Sequence, residues 1–329
     1  MLKRRWPVAA LVVAAIGIAT VAVAAPVTRI DTGATANKPA KRLRPPGPRI
    51  ADCPVLPASN AWNQEIASLP LHPLSAQIVN HIQAIGSDNL HPDFGENPIY
   101  GIPFVVVPAD QPTVPIVYNP SGYGNESDAG PFPIPLDAPI EGGGGGDSHV
   151  LVLQQGTCQL YELYIGSRLG PGWTAYSGAK FDLLTGVPRP IGWTSADAAG
   201  LPILPGLVRY DEVAAGLIEH AIRVTFSETQ AGFVFPASHI ASDNSDPTLP
   251  AMGMRLRLSA NYNVAALAGQ AKVIATALQR YGLIVADNGS NWFFQGAPNP
   301  GWNDDDLNQL KAIPGSAFEV VDTGPVQTG

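Results

Sequence analysis

Short runs of β-branched and aromatic residues recur through most of the chain, each bounded by Gly, Pro or Asn/Asp clusters. They predict strands over 101–107, 114–118, 149–153, 160–165, 221–226, 231–235, 254–258, 283–286 and 291–294. Helical periodicity is rarer. It predicts helices over 75–85, 211–220, 264–281 and 303–313. The first is closed by Gly86, the third by Gly282, and the last opens on Asn303 with three aspartates behind it. Many strands, few helices and no strand–helix alternation point to a mainly β chain. The expected core is a β-sandwich or jelly roll with a few peripheral helices; an α+β arrangement is the alternative.

The N-terminus follows a different pattern. Lys3, Arg4 and Arg5 precede an unbroken apolar run, 6–25, that ends in Ala22-Val23-Ala24. This is the pattern of an export signal with a small-residue cleavage site, and its alternative is a retained N-terminal anchor. Residues 26–50 lack periodicity, are rich in Pro, Ala and Thr, and carry Lys38, Lys41, Arg42, Arg44 and Arg49. They are expected to form a disordered basic tether. No later apolar run approaches spanning length, so residues 51–329 are expected to form one globular domain without a membrane span. It would work outside the cytoplasm, secreted or at the cell envelope.

Charge divides at the same boundary. Nine of the 19 Lys and Arg and one of the 27 acids precede residue 51, which leaves 10 basic against 26 acidic side chains, a formal net charge of −16. A domain this acidic repels a phosphate backbone, which argues against nucleic acid as a partner. The two cysteines, Cys53 and Cys158, most simply pair in an oxidising compartment. Their bridge would staple the entry segment to a strand of the core.

Familiar catalytic signatures are missing. There is no HExxH, CxxC, Walker loop or GxSxG. Gly146-Asp147-Ser148 matches the opening of the GDSL hydrolases, but the last of the six histidines is His239, so their C-terminal Asp-x-x-His has no counterpart. The candidate chemistry therefore comes from polar crowding. Asp147 and His149 sit two apart at a strand mouth behind five glycines, 142–146, where alternation would put a carboxyl beside an imidazole. Asp197 lies among small residues, with Arg209 its nearest cation in sequence and Glu212 just beyond. His220 ends a predicted helix and His239 follows Pro236-Ala237-Ser238. Asp287 and Asn288, with Trp292 behind and Trp193 elsewhere, are suited to holding a sugar ring. Asp287-Asn288-Gly289 is also a strong hairpin signal. No cofactor is expected; Asp243, Asn244 and Asp246 are a weak Ca²⁺ set without the Gly and Glu of an EF-hand, so a polar turn is the plainer reading.

Several of these stretches carry a resemblance. Residues 194–202 (TSADAAGLP), 209–213 (RYDEV), 236–239 (PASH), 252–258 (MGMRLRL) and the 281–288 segment resemble a family of secreted proteins from soil-type bacteria. The resemblance runs from about Trp62 to Asp322. It implies export and a single domain, and it carries over no catalytic residue.

These observations favour a secreted carbohydrate-active enzyme, a glycoside hydrolase or polysaccharide lyase, with a polysaccharide or cell-wall glycan as its partner. Asp147, His149, Asp197, Glu212 and His239 are the expected acid–base set, and Trp193, Arg209, Asp287, Asn288 and Trp292 the substrate contacts. A lyase would draw on Arg209 or Arg223 to neutralise a uronate. A non-catalytic glycan-binding or envelope protein is the alternative. A metal-dependent hydrolase built on His149, His220 and His239 is a third reading. Sequence does not specify the oligomeric state.

Overall fold

In the strand Val150–Gln154 every residue is buried, because the sheet that contains it is covered on both faces. The computed structural model describes residues 47–86 and 89–328. The expected signal segment, 1–25, and residues 26–46 of the tether lie outside them. These described residues form one compact unit. Among the described residues no helix is long and apolar enough to cross a membrane.

The described residues are sheet-rich, with three larger sheets and few helices among them. A four-stranded sheet has the order Ser177–Asp182, Gln159–Tyr164, Val150–Gln154, Phe104–Val107; only the last pair runs parallel. Leu151, Leu153 and Leu160 point from it into the main core, while Val150, Val152, Tyr161 and Leu163 pack into a smaller cluster with Phe132, Ile134 and Trp173. A three-stranded sheet (Ile116–Tyr118, Gly172–Ala175, Ser167–Leu169) supplies Trp173 and Ala175 to that second cluster.

The six-stranded sheet has the order Phe318–Val321, Arg255–Leu258, Leu283–Asn288, Ile222–Phe226, Phe293–Gln295, His91–Asp93. It is mixed, with parallel pairs at 222–226/283–288 and 293–295/91–93. The helix Gly269–Arg280 packs on it through Ala271, Ile274, Ala275 and Leu278, a helical spacing of apolar positions. The helix Ser75–Ala84 lies against the edge strand Phe318–Val321, where the Ser75 hydroxyl accepts the Val320 N–H at 2.9 Å.

Cys53 and Cys158 are bonded, with Cα atoms 5.4 Å apart. Cys158 stands in the turn before the strand Gln159–Tyr164, not within the strand.

Three local expectations are corrected. The helix predicted over 211–220 stops at Ala214, because Gly216 takes φ +81° and turns the chain out of helical register. The 231–235 run forms isolated bridges at Phe233 and no strand. The predicted hairpin at Asp287-Asn288-Gly289 does not close on itself: Ile222–Phe226 lies between Leu283–Asn288 and Phe293–Gln295 and pairs with both.

Candidate functional site

One irregularity in the six-stranded sheet positions the polar groups beneath a polar cavity. Pairing between Ile222–Phe226 and Leu283–Asn288 runs Arg223↔Ile284 and Val224↔Val285, then skips to Thr225↔Asp287. Ala286 is the extra residue of this bulge. Side-by-side residues share a face, so the skip brings Asp287 onto the face that carries Arg223; in unbroken register it would point the other way. The bulged Ala286 carbonyl accepts the Ala199 N–H at 2.9 Å, which ties the 195–200 turn alongside. That turn is closed by Ser195, whose Oγ accepts the Asp197 N–H at 2.9 Å. Gly200 has φ +73°, and a Cβ there would lie 2.2 Å from the Ser238 Oγ, so only glycine fits.

Asp197 is fully buried and held by two parallel bonds from Arg223: Nη2 to Oδ1 at 2.6 Å and Nε to Oδ2 at 3.0 Å. This fork geometry is the strong form of an arginine–carboxylate pair. The Arg223 Nη1 donates to the Gln295 Oε1 at 2.5 Å. Asp287 lies beside the pair, with Oδ2 3.9 Å from Arg223 Nη2 and its side chain 23% exposed toward the cavity. Burial and the adjacent Asp197 charge push the Asp287 carboxyl up to about 8, against the pull of Arg223, and a carboxyl–carboxyl hydrogen bond to Asp197 adds to the rise. The Asp287 carboxyl is thereby favoured in its protonated form, beside an Asp197 that Arg223 holds.

The cavity above has a volume of about 480 Å³. Asp147, Asp197, Asp243, Asp287 and Asn288 line it together with His239, Thr194, Ser195, Tyr123 and Tyr164. Burial raises the Tyr164 phenol, and both Asp147 and Asp287 add to the rise, so the ring lies within electrostatic reach of both carboxyls. His239 donates from Nδ1 to the Ala198 carbonyl at 2.9 Å, and its Nε2 lies 3.7 Å from Glu126 Oε2. Glu126 also accepts the Thr194 N–H at 3.0 Å. Arg189 fastens this side through the Thr194 carbonyl, the Glu126 carbonyl and the Asp128 carboxyl.

A second layer of charge lies below. His149 is buried and donates from Nδ1 to Glu141 Oε2 at 2.6 Å and from Nε2 to the Ala196 carbonyl at 3.0 Å. Burial opposes its charge, but the Glu141 bond and charge outweigh that and raise it to about 9. Glu162, fully buried, accepts the N–H groups of Ile203 and Leu204, and burial lifts it to about 7 despite those bonds.

The expected residues are thus divided. Asp147, Asp197, His239, Asp287 and Asn288 meet in one cavity, with Asp243 on its wall. His149, expected as an acid–base group at the mouth, lies buried beneath it instead. Ser148 takes φ +49°, which breaks the alternation, so His149 turns inward to Glu141 while Asp147 stays exposed. Glu212 and Arg209 lie elsewhere: Glu212 Oε1 accepts from Arg209 Nη2, its Oε2 accepts from His220 Nε2 at 3.0 Å, and all three are buried. Trp292 is fully buried against Phe226 and Phe318, and the ring of Trp193 lies under the Arg189 guanidinium. Neither tryptophan lines the cavity. In the suggested Ca²⁺ loop, the Asn244 side-chain Oδ1 accepts the Asp246 N–H, and Asp246 Oδ1 accepts from the Thr248 N–H and hydroxyl. Their oxygens close the polar turn. His149, His220 and His239 each donate to a different backbone carbonyl, and no group of three or more His, Cys, Asp or Glu among the described residues is arranged to hold a metal.

Sequence reasoning missed Glu162, Gln295, Tyr123 and Tyr164. A charge inside an apolar strand was the available signal for Glu162, as it was for Arg223. No protein-family model, curated protein or solved structure matches the chain.

Proposed function

We propose that this protein is an extracytoplasmic acid–base hydrolase of glycans, with Asp287 as the general acid. The observation that carries the reading is the placement of Asp287, which opens to a polar cavity beside the buried Asp197–Arg223 pair, where burial and the neighbouring carboxylate push its carboxyl up to about 8. Such a group holds its proton near neutral pH and can deliver it to a leaving oxygen. In the proposed reaction the Asp287 proton passes to the glycosidic oxygen as the C–O bond breaks. A water adds its oxygen to the sugar carbon and gives its proton to Asp147 across the cavity. Tyr123 and Tyr164 take the stacking role first assigned to tryptophan.

The hydrolase branch is favoured over the lyase branch. Among the described residues no Lys or Arg lines the cavity, and Arg223 is occupied by Asp197 and Gln295, so no free guanidinium or ammonium there faces a uronate. Neutral or amine-bearing glycans fit this lining. Export is part of the proposal, and the Cys53–Cys158 bond supports it. So is a sandwich-like core, supported by the single apolar cluster to which the four- and six-stranded sheets both contribute.

The test is incubation with plant, fungal and bacterial polysaccharides, reading new reducing ends, with Asp287→Asn as control. Release from a neutral or amino glycan that Asp287→Asn loses supports the reading. Retention on a glycan without release supports the non-catalytic alternative. Release that Asp287→Asn leaves unchanged overturns the assignment of the acid.

A further inference from the structure

We propose that Gln295 and Asp93 are positioning residues for the Asp197–Asp287 pair. They act through Arg223, along a row of polar side chains that crosses four neighbouring strands.

The row follows from register. His91–Asp93 pairs with Phe293–Gln295 so that Asp93 stands beside Gln295. Phe293–Gln295 pairs antiparallel with Ile222–Phe226 at Val224↔Phe294, which brings Gln295 next to Arg223. The bulge then brings Asp287 onto the same face from the fourth strand. Each step is bonded or in close approach. Asp93 stands beside Gln295 in register, close enough for the Gln295 side chain to lower its carboxyl, and the Gln295 Oε1 accepts from Arg223 Nη1 at 2.5 Å. Arg223 grips Asp197 with Nε and Nη2, and Nη2 also approaches Asp287 Oδ2 at 3.9 Å.

A guanidinium is planar, so fixing Nη1 from behind fixes where Nε and Nη2 point in front. Gln295 has one acceptor and one donor end, and Asp93 decides which end faces Arg223. Were the amide to flip, its NH₂ would face the cation and the anchor would be lost. Gln295 is buried, and its exposure to water cannot replace the lost bond. Asp93 lines a separate cleft of about 380 Å³ with His91, Tyr100, Asp304 and Lys311, so the row joins two clefts.

The groups that face Asp287 are Asp197, Arg223 and His149, with Tyr164 at the cavity side; those that act on Asp93 are Glu141, Arg223 and Gln295. The readout is the titration of the Asp287 carboxyl, followed by ¹³C NMR on aspartate-labelled protein and assigned with Asp287→Asn. It needs no substrate, so it stands or falls apart from the glycan reading, although its catalytic meaning rests on that reading. Gln295→Glu adds an anion behind Arg223 and should raise the Asp287 midpoint by about one pH unit or more. Gln295→Leu frees the guanidinium to swing toward Asp287 and should lower it by a similar amount, roughly one unit. Asp93→Val should shift it as Gln295→Leu does, while Asp93→Asn, which keeps an acceptor, should restore the wild-type midpoint. Should Gln295→Leu not fold, Gln295→Glu and the Asp93 pair decide the matter. Midpoints that stay at the wild-type value in folded variants, or that move in one direction for every substitution, overturn the proposal.

Discussion

Replacing Asp287 by Asn preserves the shape of the side chain and its bond toward Asp197 but removes its ionisation. In the folded protein the carboxyl is raised from 3.8 to about 8. Between those values the unfolded chain has released this proton and the folded chain has not. The wild type must therefore lose stability as pH rises through that window, and below about pH 4 the effect is absent. At pH 7 the ceiling is ~4 kcal/mol, from 1.36 kcal/mol per pH unit over roughly three units. The side chain is 23% exposed, and water at the open side screens it, so a gap of ~2 kcal/mol is the working figure. Urea denaturation followed by tryptophan fluorescence on both proteins, from about pH 4.5 to 8, measures it. Asp287→Asn should match the wild type at the acid end and exceed it by ~2 kcal/mol near pH 8. His149 and Glu162 also titrate in or near this range, but they are common to both proteins and cancel in the difference. Parallel stability curves at all pH values would refute the reasoning.

Other outcomes follow from the same geometry. Arg223→Met leaves the fully buried Asp197 without its partner and should cost ~3–5 kcal/mol in urea, part of which Arg223→Met/Asp197→Asn recovers; strictly additive losses would deny the coupling. Glu212→Gln should cost ~2–4 kcal/mol by leaving the buried Arg209 short of its anion, with the Asp287 titration unchanged. Lost turnover at wild-type stability would instead restore Glu212 to the site. Cys53→Ala/Cys158→Ala opens a loop of 105 residues and should cost about 4–5 kcal/mol by chain entropy, read as a lower urea midpoint. A midpoint that does not fall would mean the bridge does not constrain the unfolded chain.

The strands were legible where composition and burial agree. Val150–Gln154 and Ile222–Phe226 are buried throughout and are dominated in sequence by branched and apolar residues, with Arg223 the one charge between them. The disulfide was legible by count alone. Pairing between distant segments was not: the hairpin signal at Asn288-Gly289 is real local chemistry, yet Ile222–Phe226 comes between the two strands it joins. The site was half legible for related reasons. Asp197 and Asp287 each stood out as polar residues without an evident partner, but they are ninety positions apart. Whether Asp287 faces Arg223 depends on a one-residue bulge at Ala286 that no local pattern announces. The Asp147/His149 pairing failed at a single residue, Ser148, whose left-handed backbone breaks the strand period. Arg209 and Glu212 lay close to Asp197 in sequence, and it was this closeness that misled; the Asp197 partner is Arg223, on a strand reached only after another helix and turn.

In the proposed site Asp287 holds a proton near neutral pH, beside Asp197. Neutron diffraction from a deuterated crystal at about pD 6.5 observes that atom directly. A single deuteron on Asp287 directed at Asp197, with both ring nitrogens of His149 deuterated over Glu141 and Ala196, is the predicted result. Two bare carboxylates at Asp197 and Asp287 would contradict the account.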